Sequence, residues 1–418
     1  MVNEKELIPH LFRTEYRKIV SVLCKLFGME HLDAAEDIAS DSFLSAMETW
    51  PYKGIPENPV AWLYSVAKNK AKNYLNRHQL FKKKIVKQIK YSSFEKTDLD
   101  IDLSEKNSKD SQLQMLFTLC HPCISNEAQI GLSLRILCGF GIEEIANAFL
   151  VTKETINKRL FRAKEKLRIE KVAIEFPPEQ EIDNRLDTVL TTLYLVFNEG
   201  YYSESQDDVL REDLCFEAIR MTELLIENEN TKMPKVNALL ALMYFHSSRF
   251  EARKGKKGEI ILYDDQDENI WNQELISKGA NFLKQSSQGT KISKYHIEAS
   301  IAYWHTQKTD TNEKWENILQ LYNVLLQLEY SPVAALNRTY ALFKIYGKKA
   351  AIFEAEKLNL SNNHYYFTLL GELYKDNDVK KSVCYFEKAL SMAKTKTDRH
   401  TIQVKIDGLG RTNNQAEQ

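Results

Sequence analysis

Three observations predict an all-α fold. Glycine and proline are scarce, 14 and 9 in 418 residues. Apolar residues recur over long stretches at the three-and-four spacing of a helix rather than alternating as in a half-buried strand. From Gly141 to Arg168 two helical patterns meet across a turn of only a few residues, the pattern of a helix-turn-helix. The length calls for two to four compact units, and composition divides the chain at 1–90, 91–111, 112–172 and 180–418. Two small helical domains, joined by a linker, would precede a larger helical one.

In the first segment Ala39, Phe43, Ala46, Met47 and Trp50 follow helical spacing, while Asp37, Asp41 and Glu48 line a separate face. PYKGIPENP then reads as a loop, and a helix opens at Pro59 or Val60. Trp62, Leu63, Val66 and Ala67 form its apolar side; Lys68, Asn69, Lys72, Asn73 and Arg77 face outward. No Asp or Glu occurs between Trp62 and Lys90, so this surface can approach phosphates. Trp62, Tyr64, Tyr74 and Phe81 are interleaved with the cations. They read as platforms for unpaired bases or as core, Trp62 equally as either.

Residues 91–111 include EKTDLDIDLSEKNSKD, which reverses the charge and has little apolar periodicity; it reads as a flexible acidic linker. The next unit starts near Leu113 and carries a helix with Ile130, Leu134 and Leu137 on one face, entered through Ser125 as a cap. In the helix-turn-helix, Ile142, Ile145, Ala146 and Phe149 form the first apolar face and Ile156, Leu160, Ala163 and Leu167 the second. Thr152 is placed to cap the second helix. Lys153, Thr155, Asn157, Lys158, Arg159 and Arg162 remain outward, a face suited either to a DNA groove or simply to water.

PPEQEIDN marks the next boundary, and helical hairpins follow. HYYFTLLGELYKDNDVKKSVCYFEKALSMA places Phe367, Leu370, Gly371, Tyr374, Phe386 and Ala389 near tetratricopeptide positions. Helix pairs around 297–328 and 333–358 recur at roughly 34 residues, the interval of a degenerate solenoid. An enzyme would need Glu199, His246, Asp264, Asp265 and Asp267 to converge, yet their spacing fits no ligand pattern. The simpler reading has Asn198 and Gly200 shaping a turn and the aspartates capping helices or pairing with Arg249 and Arg253. CHPC at 120–123 lacks a second ligand pair for zinc. No catalytic residue, metal or cofactor is expected.

With 57 basic and 58 acidic residues, the net charge of -1 leaves nucleic-acid binding to local segregation of charge. The N-terminus lacks a signal-peptide pattern and no apolar run approaches a membrane span, so a cytoplasmic protein without a membrane partner is expected. Its six scattered cysteines should be reduced.

The order AEDIASDSFLSAMETW, NPVAWLYSVAKNKAKNYLNR, acidic linker and GFGIEEIANAFLVTKETINKRLFRAKEKLR resembles sigma-70 initiation factors of RNA polymerase, and the compact layout resembles their extracytoplasmic-function group. LVFNEGYYS, DLCFEAIRMTELL, LALMYFHSSRFEAR, ILYDDQDENIWN and SPVAALNR resemble the subgroup with a tetratricopeptide-like extension. The resemblance implies region 2 at 1–90 and region 4 at 112–172, with core polymerase and promoter DNA as partners. Asp37, Asp41 and Glu48 would meet the polymerase. Trp62, Lys68, Asn69, Lys72, Asn73 and Arg77, with the loop 53–58, would recognise and open the -10 element. Lys153, Thr155, Asn157, Lys158, Arg159 and Arg162 would read the -35 element. The extension would modulate activity in cis and carry a ligand or protein partner. The alternative is a non-sigma helix-turn-helix regulator with a solenoid sensor.

Overall fold

A computed structural model describes residues 4–86, 101–149, 151–201, 211–255, 261, 263–393 and 395–416. Eighteen α-helices and no strand occur among them. Compact packing divides the chain into two units, Met1–Leu195 and Val196–Gln418.

The first unit opens with α1 (Glu4–Phe27), α2 (Leu32–Lys53) and α3 (Pro59–Val86), which pack on one another. Their shared core holds Ile19, Leu23, Ala35, Ala39, Phe43, Leu63 and Ala67, each nearly excluded from water. The helical spacing read from the sequence explains this, with one exception. Met47 stands out in solvent at 57% exposure, beside Leu44 at 51%.

Next come α4 (Glu105–Leu119), α5 (Asn126–Ile136), α6 (Ile142–Ala148) and α7 (Lys153–Ile169). The flexible linker expected over 91–111 needs correction in its second half; residues 91–100 lie outside those described. Ile101 and Leu103 are buried. The Ser104 hydroxyl accepts from Asn107 N–H at 3.4 Å and starts α4, whose Ser108, Ser111, Gln112, Met115 and Leu116 are buried where it packs along α1. Small hydroxyl residues fill that contact, which is why hydrophobic periodicity does not reveal it.

Helices α6 and α7 pack on one another across a short turn. Ile156, Leu160, Ala163 and Leu167 are all buried. Thr152 Oγ1 accepts from Thr155 N–H at 3.2 Å, satisfying one unpaired donor of the first turn. Ser125 occupies the N-cap position of α5, but its side chain makes no capping hydrogen bond.

The division between the units falls within α8 (Glu179–Tyr201), later than the boundary at 180 read from composition. Its first half belongs with the first unit: Arg185 donates to Phe117 O at 2.7 Å and Thr192 to Gln129 Oε1 at 3.2 Å. Gly200 lies in this helix rather than in a turn. A Cβ there would meet Arg211 O at 2.6 Å and Cys215 Sγ at 2.7 Å, so the residue permits a close backbone approach.

The second unit continues with α9 (Glu212–Glu227), α10 (Pro234–Ser247), α11 (Phe250–Arg253), α12 (Gln273–Ser286), α13 (Lys294–Trp304), α14 (Asn312–Leu328), α15 (Pro332–Leu358), α16 (His364–Tyr374), α17 (Val379–Met392) and α18 (Lys396–Ala416). Helix α10 is buried nearly all round, against α9, α12 and α13. From α13 onward each helix packs on the next in sequence. Helix α15 bends at Gly347, whose φ of 78° a residue with a Cβ adopts only under strain. No helix among the described residues is long and apolar enough to cross a membrane.

Candidate nucleic-acid interface

Three surfaces of the first unit carry the residues singled out by sequence. On α2, Asp37, Asp41 and Glu48 are exposed, around a small apolar patch of Leu44 and Met47. Asp41 has Lys70 of α3 at 3.6 Å, a solvent-exposed pair of little energetic consequence. Carboxylates surrounding two apolar side chains make a face that a basic, partly apolar partner can cover.

After α2, Gly54 N–H bonds to Trp50 O at 2.9 Å, ending the helix. Asn58 Oδ1 accepts from Ala61 N–H at 3.0 Å and starts α3. Trp62 is half-buried, its ring edge-on to that of Trp50 with centroids 5.5 Å apart, so it borders the loop and braces it. Asn69, Asn73 and Arg77 recur every four residues on the exposed face of α3, and Lys68 and Lys72 flank them half-buried. The other aromatics differ from a stacking platform. Tyr64 donates its hydroxyl to Glu15, and Tyr74 shares a 2.7 Å hydrogen bond with His31 Nδ1. Burial raises both phenol pKa values, with the Glu15 carboxylate adding to it for Tyr64 and the charge of Glu30 for Tyr74. The side chain of Phe81 lies outside those described.

On α7, Lys153, Thr155, Asn157, Lys158 and Arg162 are exposed and Arg159 is half-buried. Lys153 pairs with Glu143 of α6 at 2.9 Å. Phe161 is 66% exposed on the same helix. The structure therefore gathers the α7 set on one helix and the α3 set on another, each with donors outward.

Residues 11–81, spanning most of α1 through α3, match sigma-70 region 2. The chain belongs to the sigma-70 family. Region 2 binds core RNA polymerase and promoter DNA, and its family consists of initiation factors without catalysis. In this sigma-70 chain residues 185–287 match a family of unknown function (DUF6596). An uncharacterized protein of Rhizobium meliloti (strain 1021) is 31% identical over 394 residues, covering 91% of this chain and 90% of that protein. No solved structure matches.

The residues weighed for an enzyme are dispersed among other tasks. His246 is buried against Tyr201, with ring centroids 4.5 Å apart, and Arg249 Nη2 lies 3.4 Å from its Nδ1. Asp267 caps Asn269 N–H at 2.9 Å, Asp265 is exposed, and the side chain of Asp264 lies outside those described. Cys120 is buried, which pushes its thiol up to about 11, while His121 Nδ1 accepts from Cys123 N–H at 3.2 Å. Among the described residues no three His, Cys, Asp or Glu stand where they could hold a metal.

Sequence reasoning missed Asp33, Glu36, Arg135, Lys164 and Arg168. Lys164 Nζ lies 2.6 Å from Glu36 Oε2 and 2.8 Å from Asp33 Oδ1, joining α7 to the start of α2. Partners 128 and 131 positions apart leave no trace in periodicity. The available signal was that Asp33, Asp37 and Asp41 continue one stripe of α2 at four-residue spacing.

Proposed function

We propose that this chain is a sigma factor of the extracytoplasmic-function type that loads core RNA polymerase onto specific promoters. The acidic and apolar face of α2, with Asp37, Asp41 and Glu48, takes the polymerase. The exposed donors of α3 recognise and open the -10 element, with the loop from Gly54 to Asn58 beside Trp62 receiving an unstacked base. The face of α7 carrying Lys153, Thr155, Asn157, Lys158, Arg159 and Arg162 reads the -35 element in a major groove. The helical hairpins from α13 to α18 act as a tetratricopeptide-like module that modulates these steps in cis and offers a surface for a ligand or protein partner.

The observation that carries the reading is α3. Most of this helix lies within the sigma-70 region 2 match; it has no acidic residue along its whole length, and turns Asn69, Asn73 and Arg77 into solvent. Run-off transcription with core polymerase tests it over a set of genomic fragments, with no other sigma factor present. Discrete promoter-specific transcripts that depend on this chain are expected. Tight duplex binding without such transcripts would instead mark a helix-turn-helix regulator and refute the proposal.

A further inference from the structure

Between α10 and α11 the second unit buries a charge with no counter-charge among the described residues. Arg249 is 8% exposed, and a guanidinium keeps its proton at any ordinary pH. Its Nη2 lies 3.4 Å from the Tyr201 hydroxyl and 3.4 Å from His246 Nδ1, and the guanidinium carbon is 5.6 Å from the centre of the Tyr263 ring. No carboxylate among the described residues pairs with it, and its Nε–H is buried without an acceptor. The same ring gathers more positive charge. Lys314 of α14, 1% exposed, lies 5.4 Å from it and donates to the Tyr263 hydroxyl at 3.1 Å, and His305 stands edge-on to it at 5.2 Å. Burial lowers the pKa of His246 and of His305, and Arg249 is the next cause for both. The imidazoles are therefore neutral, and Arg249 and Lys314 carry the charge. A buried charge of this kind is strongly destabilising until something supplies its opposite.

Two further groups beside Tyr263 say what fits. Trp271, its ring 6.1 Å from that of Tyr263, is buried with its Nε1–H unpaired. Gln266 donates from Nε2 to Ile261 O at 3.1 Å, which fixes the sense of its amide, and its Oε1 is left buried without a donor. These residues belong to a stretch of two single 3-10 turns, Tyr263–Asp265 and Glu268–Ile270, tied back by Asn272 N–H on Ser248 O at 2.8 Å and by Lys308 on Gln266 O. Two donors lack an acceptor and one acceptor lacks a donor, beside two buried cations. Buried polar groups are ordinarily satisfied. The missing complement is an oxyanion that also bears a hydroxyl.

We propose that Arg249, Trp271 and Gln266, around Tyr263, bind a small oxyanion carrying a hydroxyl group, either a hydrogen phosphate or a 2-hydroxycarboxylate. Arg249 supplies the charge and the Nε–H, Trp271 a second donor, and Gln266 Oε1 accepts from the hydroxyl. Lys314, on the same tyrosine, raises the local potential. All three binding residues lie within 185–287, so the site gives a ligand to the stretch that matches a family of unknown function. It stands independently of promoter recognition by the first unit, and either can fail alone.

Calorimetry of the full chain tests this with inorganic phosphate and with lactate, each against chloride at equal ionic strength. A bare anion that binds with a dissociation constant of about 1 mM should raise the melting temperature of the second unit by about 5 °C at about 20 mM. Phosphate also stabilises folded proteins by exclusion from their surfaces, so each variant is read against its own chloride baseline. Arg249→Gln should remove the increment and leave only that general effect. Trp271→Phe keeps an aromatic ring in place and removes only the indole donor; affinity about fivefold weaker should halve the increment. This variant decides the matter if Arg249→Gln does not fold. A rise with phosphate alone assigns a phosphate-bearing ligand, a rise with lactate alone a hydroxycarboxylate, and a rise with both the shared chemistry. No rise beyond chloride with either anion, or a rise of equal size in wild type and in the folded variants, overturns the site.

Discussion

In the first unit Arg77 of α3 and Lys158 and Arg162 of α7 face solvent, with the neutral donors Asn69 and Asn73 beside Arg77. In the second unit a comparable set is turned inward. Arg249 is 8% and Lys314 1% exposed, Arg249 lies 5.6 Å from the Tyr263 ring, and Arg253 stacks 4.0 Å above Tyr201. His246 and His305 are buried beside them. One chain with a net charge of -1 thus uses positive charge in two ways. Outside, it is available to polyanions and subject to screening; inside, it is part of the packing and pH rather than salt should govern it. The difference teaches that charge pattern alone does not locate a nucleic-acid surface. Helical position relative to the core decides it.

The largest effect expected from this contrast is on ionic strength. If α3 and α7 together neutralise about six phosphates, promoter affinity should fall roughly a thousandfold between about 50 and 200 mM salt. The melting temperature of the second unit should scarcely move over the same range. Filter binding of the polymerase-bound chain and calorimetry of the free chain measure the two responses; a promoter affinity indifferent to salt would place the DNA contacts elsewhere.

Next in size is removal of the α3 donors. Asn69→Ala, Asn73→Ala and Arg77→Ala together should reduce promoter-dependent transcript about a hundredfold, since each base-edge contact contributes about 1–3 kcal/mol. All three side chains are exposed, so helicity and melting should persist. Permanganate reactivity of thymines near the start site should vanish with the transcript. Retained reactivity would mean that another surface opens the duplex.

The inward charges should answer to pH. Burial lowers the His305 pKa to about 3, with Arg249 and Lys314 adding to it, and burial with Arg249, Arg253 and His305 lowers that of His246 well below the usual range. The folded-state values lie below the unfolded one near 6.5. Below that pH the unfolded chain takes up protons that the native state refuses. Stability is therefore intact above pH 6.5 and lost as pH falls from there toward 3, by about 2 kcal/mol at pH 5 for His305 alone, or roughly thirtyfold in the folding equilibrium. Denaturant titrations at pH 7 and pH 5 check this, and His305→Gln should flatten the slope. An unchanged slope in that variant assigns it to other groups.

Legibility followed the same division. Helix α7 could be read to its cap, because Ile156, Leu160, Ala163 and Leu167 need only one helix to explain them, and Thr152 bonds within its own turn. Region 2 was legible for the same reason, α2 and α3 each carrying a complete apolar face. What stayed hidden depended on distant partners. Residues 101–111 look like a linker until α1 lies alongside them, and Tyr64 looks like a stacking aromatic until Glu15 accepts its hydroxyl. Met47 fits the apolar spacing of α2, yet no helix among the described residues covers it. The contacts of Lys164 with Asp33 and Glu36 likewise belong to tertiary structure alone.

The acids of α2 give the smallest of these effects and sharpen the comparison from its negative side. Asp37→Lys with Asp41→Lys should weaken core-polymerase binding about tenfold, because like charges would then face a basic partner, with the loss greater at low salt. The fold should change by no more than about 0.5 kcal/mol, since both carboxylates are exposed and Asp41 gives up only its 3.6 Å contact with Lys70. Loss of affinity with an unchanged melting temperature would show that Asp37 and Asp41 meet the partner directly. Undiminished affinity would move the polymerase contact off this stripe.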